Sequence, residues 1–413
     1  MNGKSIKKAR NGPHEGVRAT VGIEKLVYGG EGLGRLEGQV LLAPFVLPGE
    51  SVSVRTERVK TGLLRGFEPQ ILTPSTERIA PRCEYFGTCG GCHYQHAAYG
   101  FQLEQKRLIL RETLQRVGGI AYEGEIATVS GEPWFYRNRV QLHFSEGQSG
   151  FHIAGSHDLC AIDHCYISSP ALVDAVARLP EAIRRPEWPK FLRSLEIFTN
   201  EQELQLNILD STRPVAARFF DFCGTFLPSL ARGPIEYPAA GFKFRIGRGS
   251  FFQVNRFLIE ALVEEVLGDA AGDRAIDLYA GVGLFSLPLA KRFREVQAVE
   301  RGASGFRDLE ANAAAHAIDL QASQMPAEDF LRSLEETPDL IIADPPRSGL
   351  DRDVTAELLR IKPPRLTLVS CDPATLARDI KKLLTAYGIR RIALVDLFPQ
   401  TYHFETVVHL EKI

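Results

Sequence analysis

Short apolar runs alternate with amphipathic stretches through the second half of the chain. From about residue 245 onward, runs rich in branched side chains predict buried strands at 275–279, 296–299, 340–343 and 366–369. In the segments between them, apolar residues recur at helical spacing. Alternating strands and helices are typical of a mostly parallel, doubly wound sheet, so we expect a Rossmann-like α/β domain here.

The first half of the chain has a different pattern. Residues 18–75 contain short alternating segments interrupted by glycine-rich turns, which predicts an OB-like β-barrel. Residues 76–245 predict a mixed α/β region in which 101–117 form an amphipathic helix. We therefore expect a flexible basic tail at 1–17, the barrel at 18–75, a central domain at 76–245 and the α/β domain at 246–413. Helix 101–117 is expected to pack on the last of these.

The composition is that of a soluble globular protein, with 44% hydrophobic and 24% charged residues. No apolar run reaches the roughly 18 residues of a membrane span. The basic N-terminus lacks the apolar core of a secretory signal. We expect a cytoplasmic protein with no membrane partner.

The net charge of the chain limits how it can bind nucleic acid. The 49 basic and 51 acidic residues give a net charge of −2, so any such binding must use local patches. Basic residues cluster late in the barrel, which suits a surface for single-stranded RNA as well as an ordinary solvated face. Arg137 and Arg139, before a predicted strand, are candidate RNA contacts, although such positions are more often plain surface.

Three cysteines cluster as Cys83-x5-Cys89-x2-Cys92, and the glycines among them let the backbone fold closely. The chain has seven cysteines, an odd number that argues against a disulfide framework and favours metal binding or catalysis. A fourth ligand is needed, and Cys160 and Cys165 are the candidates downstream. Four thiolates suit zinc as well as an iron–sulfur cluster, and spacing does not separate these two.

Distinctive side chains follow the predicted strands. Strand 275–279 leads into a glycine turn at 281–283, Glu300 follows the next strand, and Asp344 follows a later one. The carboxyl ends of parallel strands share one edge of a sheet, where nucleotides bind and an acidic residue holds the ribose. Because Asp277 precedes an incomplete dinucleotide motif, the pattern favours S-adenosylmethionine.

Cys371 lies where strand 366–369 gives way to a helix that Asp372 would cap and Pro373 would begin. At such a junction the helix dipole and free backbone N–H groups lower the pKa of a thiol, so we expect a nucleophilic thiolate. A buried core cysteine is the commoner case for an isolated thiol. The cofactor turn and Asp344 at the same edge favour a catalytic thiol here.

Several motifs together give the chain a resemblance to the bacterial RNA uracil-5-methyltransferases, in particular the ribosomal-RNA type with an N-terminal TRAM barrel and an iron–sulfur cluster. They run from about residue 18 to the C-terminus: GGEGLGR with LPGE, the cysteine set, GSFFQVN, DLYAGVGLFSLPLA, DPPRSGL, SCDPATLARD and FPQTYHFETVVHL. The resemblance implies transfer of a methyl group from S-adenosylmethionine to carbon 5 of a specific uridine in 23S ribosomal RNA.

The resemblance also implies roles for individual residues. Cys371 matches the nucleophile that adds to carbon 6 of uracil, and Glu405 matches the general base that removes the carbon-5 proton. The matched cofactor-binding residues are Gln253, Tyr279, Gly281, Leu284, Glu300 and Asp344. The matched metal ligands are Cys83, Cys89, Cys92 and Cys165, which makes a [4Fe-4S] cluster the expected group.

The match has departures and alternatives. Ala280 replaces a cysteine that many relatives have, and Pro326 replaces a polar residue near the adenine. From pattern alone, Glu405 is an exposed glutamate on a terminal strand.

The alternative functions are the same reaction on tRNA and a noncatalytic RNA-binding ribosome-assembly factor. Amino-group methylation is disfavoured because Arg347, and no aromatic residue, follows Asp-Pro-Pro. The expected partner is RNA, and the expected state is a monomer.

Overall fold

A computed structural model of the chain describes residues 17–413, so the tail expected at 1–17 lies outside the described residues except for Val17. The chain divides into two compact units. The first contains the described residues up to Gly87, with Cys92–Gln105 and Gln400–Tyr402. The second contains Thr88–Gly91, Lys106–Pro399 and His403–Ile413. In the described chain, no helix is both long enough and apolar enough to cross a membrane.

The first unit contains a closed five-stranded β-barrel. Its strands are β1 (Arg18–Leu26), β2 (Glu31–Leu36), β3 (Gln39–Pro44), β4 (Ser51–Lys60) and β5 (Leu63–Thr73). They are joined in the order β1-β2-β3-β5-β4, and β4 pairs with β1 to close the barrel. Alternate side chains such as Val21, Ile23, Val52 and Val54 fill the interior. The OB-like barrel predicted from the sequence is confirmed.

The structure explains two sequence motifs of the barrel, GGEGLGR and LPGE. A Cβ atom at Gly34 would lie 2.5 Å from the backbone oxygen of Gly22, so glycine is needed where β1 and β2 approach. The buried Glu50 carboxylate accepts hydrogen bonds from Leu47 N (2.7 Å) and from the Arg78 guanidinium (2.5 and 2.8 Å). Burial by itself would raise the pKa of Glu50, but these bonds hold it below its usual value.

Helix α1 begins in the first unit and continues from Lys106 in the second unit, where a mixed α/β region follows it. The elements are α1 (Tyr99–Thr113), β6 (Ile126–Val129), β7 (Arg139–Ser145), β8 (Gln148–His152), β9 (Leu159–Ala161), α2 (Pro170–Ile183), β10 (Leu192–Thr199), β11 (Leu204–Ser211), α3 (Arg218–Gly224), β12 (Ile235–Ala239) and β13 (Phe242–Ile246). An antiparallel sheet has the order β11-β10-β7-β8-β9, and β12 and β13 form a hairpin.

Arg139 is wrongly predicted as a candidate RNA contact, because it is only 8% exposed. Its guanidinium donates to Glu196 Oε1 at 2.9 Å and to the Ser250 backbone oxygen at 3.1 Å, and it stacks over the Phe198 ring. A buried arginine needs such partners, since an unpaired charge in the interior is very costly. Arg139 therefore connects the central sheet to the segment that contains Ser250.

The rest of the second unit forms the predicted Rossmann-like domain. Its elements are α4 (Ile259–Leu267), β14 (Gly272–Leu278), α5 (Ser286–Leu289), β15 (Phe293–Val299), α6 (Ala303–Ala315), β16 (Gln321–Ser323), α7 (Ala327–Arg332), β17 (Leu340–Ala343), α8 (Arg352–Ile361), β18 (Arg365–Ser370), α9 (Pro373–Leu383), β19 (Tyr387–Val395) and β20 (Glu405–Lys412).

These strands form one eight-stranded sheet in the order β16-β15-β14-β17-β18-β20-β19-β6. The strands from β16 to β18 are parallel, and β20 pairs antiparallel with both β18 and β19. At the edge, β6 pairs parallel with β19, although it lies in the stretch assigned by sequence to the central domain. The predicted cap of α9 is confirmed: Asp372 accepts hydrogen bonds from Ala374 N (3.0 Å) and Thr375 N (2.9 Å).

Candidate active site

Three of the predicted cofactor residues lie at one level of the sheet. Leu278 of β14 is paired in register with Val299 of β15 and with Ala343 of β17. Tyr279, Glu300 and Asp344 are the residues that immediately follow these three. The parallel register therefore brings an aromatic and two acidic side chains together at the carboxyl edge, as the sequence predicts.

The glycine turn after β14 leaves room for a ligand. Gly281 has a φ of +57°, and a Cβ atom there would meet nothing within 4 Å. Gly283 has a φ of +92°, and its Cβ atom would lie 2.8 Å from Leu287 and Leu309 side-chain atoms. Tyr279 also has a positive φ of 65°, a strained conformation that is common at functional sites. Leu284, after the turn, is buried.

The carboxylates beside this turn fit an S-adenosylmethionine molecule. Glu300 accepts hydrogen bonds from Gly281 N at 2.8 Å and from Gly302 N. Each of its oxygens keeps a lone pair that can accept a ribose hydroxyl. Asp277 is fully buried, and its Oδ1 has no hydrogen-bond partner in the described chain. A buried acceptor without a partner suits a ligand that donates hydrogen bonds.

Gln253 is held by the central region. It is 6% exposed, and its backbone oxygen accepts a hydrogen bond from Asn138 Nδ2 at 2.9 Å. Asn138 N in turn donates to the Val254 oxygen at 2.9 Å, and Asn138 itself is fully buried. The position of Gln253 thus depends on a residue more than a hundred positions earlier, which the sequence motif does not indicate.

Cys371 and Glu405 meet at the ends of two antiparallel strands. Ser370 of β18 is paired with Thr406 of β20. Cys371 directly follows Ser370 and Glu405 directly precedes Thr406, so the same register brings them opposite each other. Residues paired in this way have Cα atoms about 4.5–5.5 Å apart. Glu405 is 8% exposed, in contrast to the surface position that pattern alone favours.

Several ionisable groups near this pair influence one another. Burial raises the pKa of Glu405 well above its usual value, and the negative charge of Asp344 adds to the effect. Burial likewise raises the pKa of Asp344 to about 7. Arg347, which follows Asp344 by three residues, hydrogen-bonds to the Cys371 thiol and counteracts part of the shift at Glu405. Burial and the nearby Asp344 carboxyl group therefore favour the protonated form of Glu405.

The expected low pKa of Cys371 is wrong. The pKa of the thiol is raised to about 11; burial is the largest cause, negative charge at Glu405 adds to it, and Arg347 acts in the opposite direction. The Asp372 carboxylate already accepts the N–H groups of Ala374 and Thr375, so these two donors at the helix start are not available to the sulfur. Cys371 is thus a protonated thiol in the RNA-free protein.

The remaining residues of two motifs fix the loops around this thiol. Asp379 of α9 accepts a hydrogen bond from Leu350 N at 2.8 Å, and Arg378 donates to the Ser348 oxygen at 2.8 Å. A Cβ atom at Gly349, which has a φ of +76°, would lie 2.4 Å from Asp379 Oδ2. The SCDPATLARD helix and the DPPRSGL loop are therefore locked together by three motif residues.

A buried lysine supports the segment before Glu405. Lys106 is fully buried, and its Nζ donates to Asp396 Oδ1 (2.7 Å) and to the backbone oxygens of Phe398 (3.1 Å) and His403 (2.9 Å). All three ammonium hydrogens are used, which offsets the cost of burying the charge. The sequence did not indicate these roles: amphipathic spacing places Lys106 at the surface, and Arg347 served only to disfavour amino-group methylation.

The predicted metal ligands are distributed over the two units. Cys83 and Cys92 belong to the first unit, whereas Cys89 and Cys165 belong to the second. Gly91 N donates a hydrogen bond to Cys89 Sγ at 3.4 Å. The buried Cys160 also hydrogen-bonds to Cys89. The donor set is chemically suited to an iron–sulfur cluster or to zinc.

Comparisons with known proteins agree with this architecture. The sequence profile described as tRNA (Uracil-5-)-methyltransferase matches residues 234–413, and the TRAM domain profile matches residues 14–67. The 23S rRNA (uracil(1939)-C(5))-methyltransferase RlmD of Halomonas elongata is 32% identical over 442 residues, which cover 97% of this chain and 91% of the relative. The RlmD protein of Pseudomonas putida is 31% identical, with coverage of 96% and 94%.

A solved structure is similar over almost the whole chain. It is the tRNA (uracil-54, C5)-methyltransferase of Pyrococcus abyssi in complex with S-adenosyl-L-homocysteine, with a TM-score of 0.75 and 27% identity over 94% of this chain and 100% of the relative. The carboxyl-edge site, the barrel and these similarities lead to one conclusion. The chain belongs to the family of RNA uracil-5-methyltransferases, which use S-adenosylmethionine.

Proposed function

We propose that this enzyme methylates carbon 5 of a specific uridine in 23S ribosomal RNA through a covalent adduct between Cys371 and the uracil. The observation that carries the proposal is the register of β18 and β20, which supports a direct pairing of Cys371 with Glu405. A thiol and a carboxyl group side by side are the two groups that this reaction needs.

Cys371 acts as the nucleophile. Carbon 5 of uracil is weakly nucleophilic, and addition of the Cys371 sulfur to carbon 6 makes an enolate whose charge reaches carbon 5. Because the thiol is protonated at rest, it must first give its proton to water, and the thiolate then adds to carbon 6. Arg347, which donates to the sulfur, stabilises the thiolate at that moment.

Glu405 acts as the general base. After carbon 5 has received the methyl group, that carbon still carries a hydrogen. Glu405 removes this hydrogen as a proton, the carbon 6–sulfur bond breaks, and Cys371 leaves as a thiolate. Glu405 acts in its carboxylate form, after its own proton has passed to water, and the burial that raises its pKa makes that carboxylate a stronger base.

The cofactor residues position the methyl donor. S-adenosylmethionine supplies an electrophilic methyl group when it is bound. Glu300 accepts the ribose hydroxyls, and Gly281 allows close approach of the backbone. Gln253, Tyr279, Leu284 and Asp344 line the rest of the site. Asp277, with its unpartnered oxygen, is an additional acceptor for a donor group of the ligand.

The substrate is proposed from the relatives. The RlmD proteins named above are 31–32% identical to this chain and span nearly all of it, which favours 23S ribosomal RNA. The structural similarity to a tRNA enzyme makes tRNA the second candidate. The central test is to map 5-methyluridine in ribosomal and transfer RNA after deletion of the gene.

Loss of one 23S 5-methyluridine, restored by a plasmid with the wild-type gene, is the expected result. Loss of a tRNA 5-methyluridine alone would replace the proposed substrate by tRNA. No loss in either RNA, with normal RNA binding by the purified protein, would favour the noncatalytic assembly factor.

We further propose that Cys83, Cys89, Cys92 and Cys165 hold a [4Fe-4S] cluster. Protein purified without oxygen should contain about four iron and four sulfide ions per chain, as four-thiolate coordination of such a cluster requires. Each single serine replacement at these four positions should lower the iron content strongly. Zinc without sulfide would contradict the cluster.

Cys160 provides the matched control for that measurement. It is a buried thiol beside Cys89 but is not one of the four proposed ligands. Cys160→Ser should keep its iron, while Cys165→Ser should lose it. The opposite result would make Cys160 the fourth ligand.

We also propose that the boundaries between the barrel, the central domain and the α/β domain lie at about residues 75 and 245. We propose that the protein is a monomer.

A further inference from the structure

An arginine-lined cleft lies beside the loop that leads to Gln253. This arginine cleft has a volume of about 240 Å³, and four arginines contribute to its lining: Arg232, Arg245, Arg248 and Arg307. The only acidic residue in the lining is Asp308. A cleft with this excess of positive charge attracts anions, and it stands out in a chain whose net charge is −2.

One of the four arginines is already neutralised. Arg245 pairs with the buried Asp308 carboxylate, which also accepts hydrogen bonds from Gly247 N (2.5 Å) and Ser250 Oγ (2.6 Å). Asp308 is therefore fully occupied by structural contacts. Within the described chain, no carboxylate pairs with Arg248 or Arg307. Arg232 lies 3.4 Å from Asp221, but its side chain is 92% exposed.

The loop in the cleft is rigidly held. Ser304 Oγ donates to the Gly249 oxygen at 3.1 Å, and Arg139 donates to the Ser250 oxygen at 3.1 Å. Arg248 is held over the Phe220 ring, with its guanidinium carbon 4.4 Å from the ring centroid. A fixed guanidinium loses little entropy when it binds an anion, so the cleft is preorganised.

An apolar cleft adjoins the arginine cleft. It has a volume of about 400 Å³ and shares Arg248 with its neighbour. Its lining includes the apolar side chains of Leu206, Ile208, Leu209, Phe220 and Phe251, together with Asn207 and the buried Arg139–Glu196 pair. Alternating phosphates and unstacked bases match one charged cleft and one apolar cleft side by side. A lone inorganic anion would need only the first of them.

The two clefts lie close to the reaction centre along the chain. Gly249 precedes Gln253 by four residues, a separation of at most about 14 Å. We propose that Arg232, Arg248 and Arg307 bind successive phosphates of the RNA strand next to the target uridine, and that the apolar cleft takes a neighbouring base. This deepens the proposed function, because it says how the substrate strand is held.

The test uses the full-length enzyme with Arg232→Ala and Arg307→Ala combined. Dissociation constants are measured on unmodified 23S ribosomal RNA and tRNA transcripts at several salt concentrations. The variant should bind the substrate RNA on the order of tenfold more weakly at physiological salt. Its slope of log affinity against log salt should fall by about 1.4, since each lost phosphate contact on a single strand removes about 0.7.

The matched control removes the same charge from the opposite edge of the sheet. Arg292 and Arg294 lie at the amino end of β15, and both side chains are exposed. The combined change of these two to alanine should leave RNA affinity and salt slope as in the wild type. Equal weakening by both double variants would mean nonspecific attraction and overturn the proposal.

Activity gives a second measurement. For the cleft variant, KM for RNA should rise while kcat at saturating RNA and binding of S-adenosyl-L-homocysteine stay unchanged. Unchanged affinity, or a fall in kcat with unchanged KM, would overturn the proposal. If the wild type binds these RNAs but methylates none of them, the proposed function fails while the binding measurements still test the cleft.

Discussion

Changing Cys371 to alanine will reduce RNA methylation by at least about 10³-fold, because the enolate that makes carbon 5 nucleophilic forms only after the sulfur adds to carbon 6. The variant should still bind RNA and S-adenosyl-L-homocysteine, since Cys371 is only partly buried and its removal leaves the Asp372 cap of α9 in place. The measurement is single-turnover transfer of a radiolabelled methyl group to RNA.

Cys223 supplies the control for this change. It is a buried cysteine of α3 at the core of the central region, with a thiol pKa that burial raises to about 12. Cys223→Ala should cost stability but keep methylation near the wild-type rate. Near wild-type methylation by Cys371→Ala would show that the reaction proceeds without the covalent adduct.

The raised pKa of Cys371 predicts a pH dependence that can be measured without RNA. With a pKa of about 11, only a small fraction of the thiol is ionised at neutral pH. That fraction grows about tenfold for each pH unit below the pKa, so alkylation of Cys371 by iodoacetamide should speed up in the same proportion between pH 7 and 9. An alkylation rate that is already high and constant from pH 6 would mean that Cys371 is a thiolate in the RNA-free protein.

The architecture could be predicted because it is encoded by local patterns. The apolar runs, the glycine turn and the Asp372-Pro373 start of α9 are each determined by residues close together in sequence. The same holds for the barrel, where Gly34 lies against Gly22 of the adjacent strand β1, only a short distance earlier in the chain. Such signals depend on backbone geometry that a short segment determines by itself.

Other features could not be predicted because they depend on contacts between residues far apart in sequence. Strand β6 joins the sheet beside β19, through a pairing of Ile126 with Ile392 that no local pattern indicates. Lys106 is buried because Asp396 and two backbone oxygens lie around it, although its place in an amphipathic helix suggests the surface. The same reason applies to Arg139, whose partner Glu196 is 57 positions away.

The pKa of Cys371 likewise could not be predicted from the local sequence. A helix start next to a thiol predicts a lowered pKa, but the sign depends on what else is near the sulfur. Here the neighbours are a buried carboxyl group, Glu405, and one arginine, Arg347. Both lie on other strands or loops, so the fold decides the ionisation of Cys371 and the local sequence does not.

Changing Glu405 to glutamine should trap the enzyme as a covalent complex with methylated RNA. Burial raises the pKa of Glu405 well above its usual value and so favours the neutral carboxylic acid, which glutamine matches in size and charge; the change should leave the fold and the thiol undisturbed. Addition of Cys371 and methylation of carbon 5 can then occur, but no carboxylate removes the carbon-5 proton, and the carbon 6–sulfur bond persists.

The trapped species should appear as a band of lower mobility on denaturing gels and carry both labelled RNA and a labelled methyl group. The double variant with Cys371→Ala should form no such band, which identifies the sulfur that is attached. Rapid turnover by Glu405→Gln without any adduct would assign the base to another group, and Asp344, whose pKa is about 7 in the same cluster, would be the next residue to change. A band without the methyl label would instead mean that Glu405 is needed before methyl transfer, as the acceptor of the Cys371 proton.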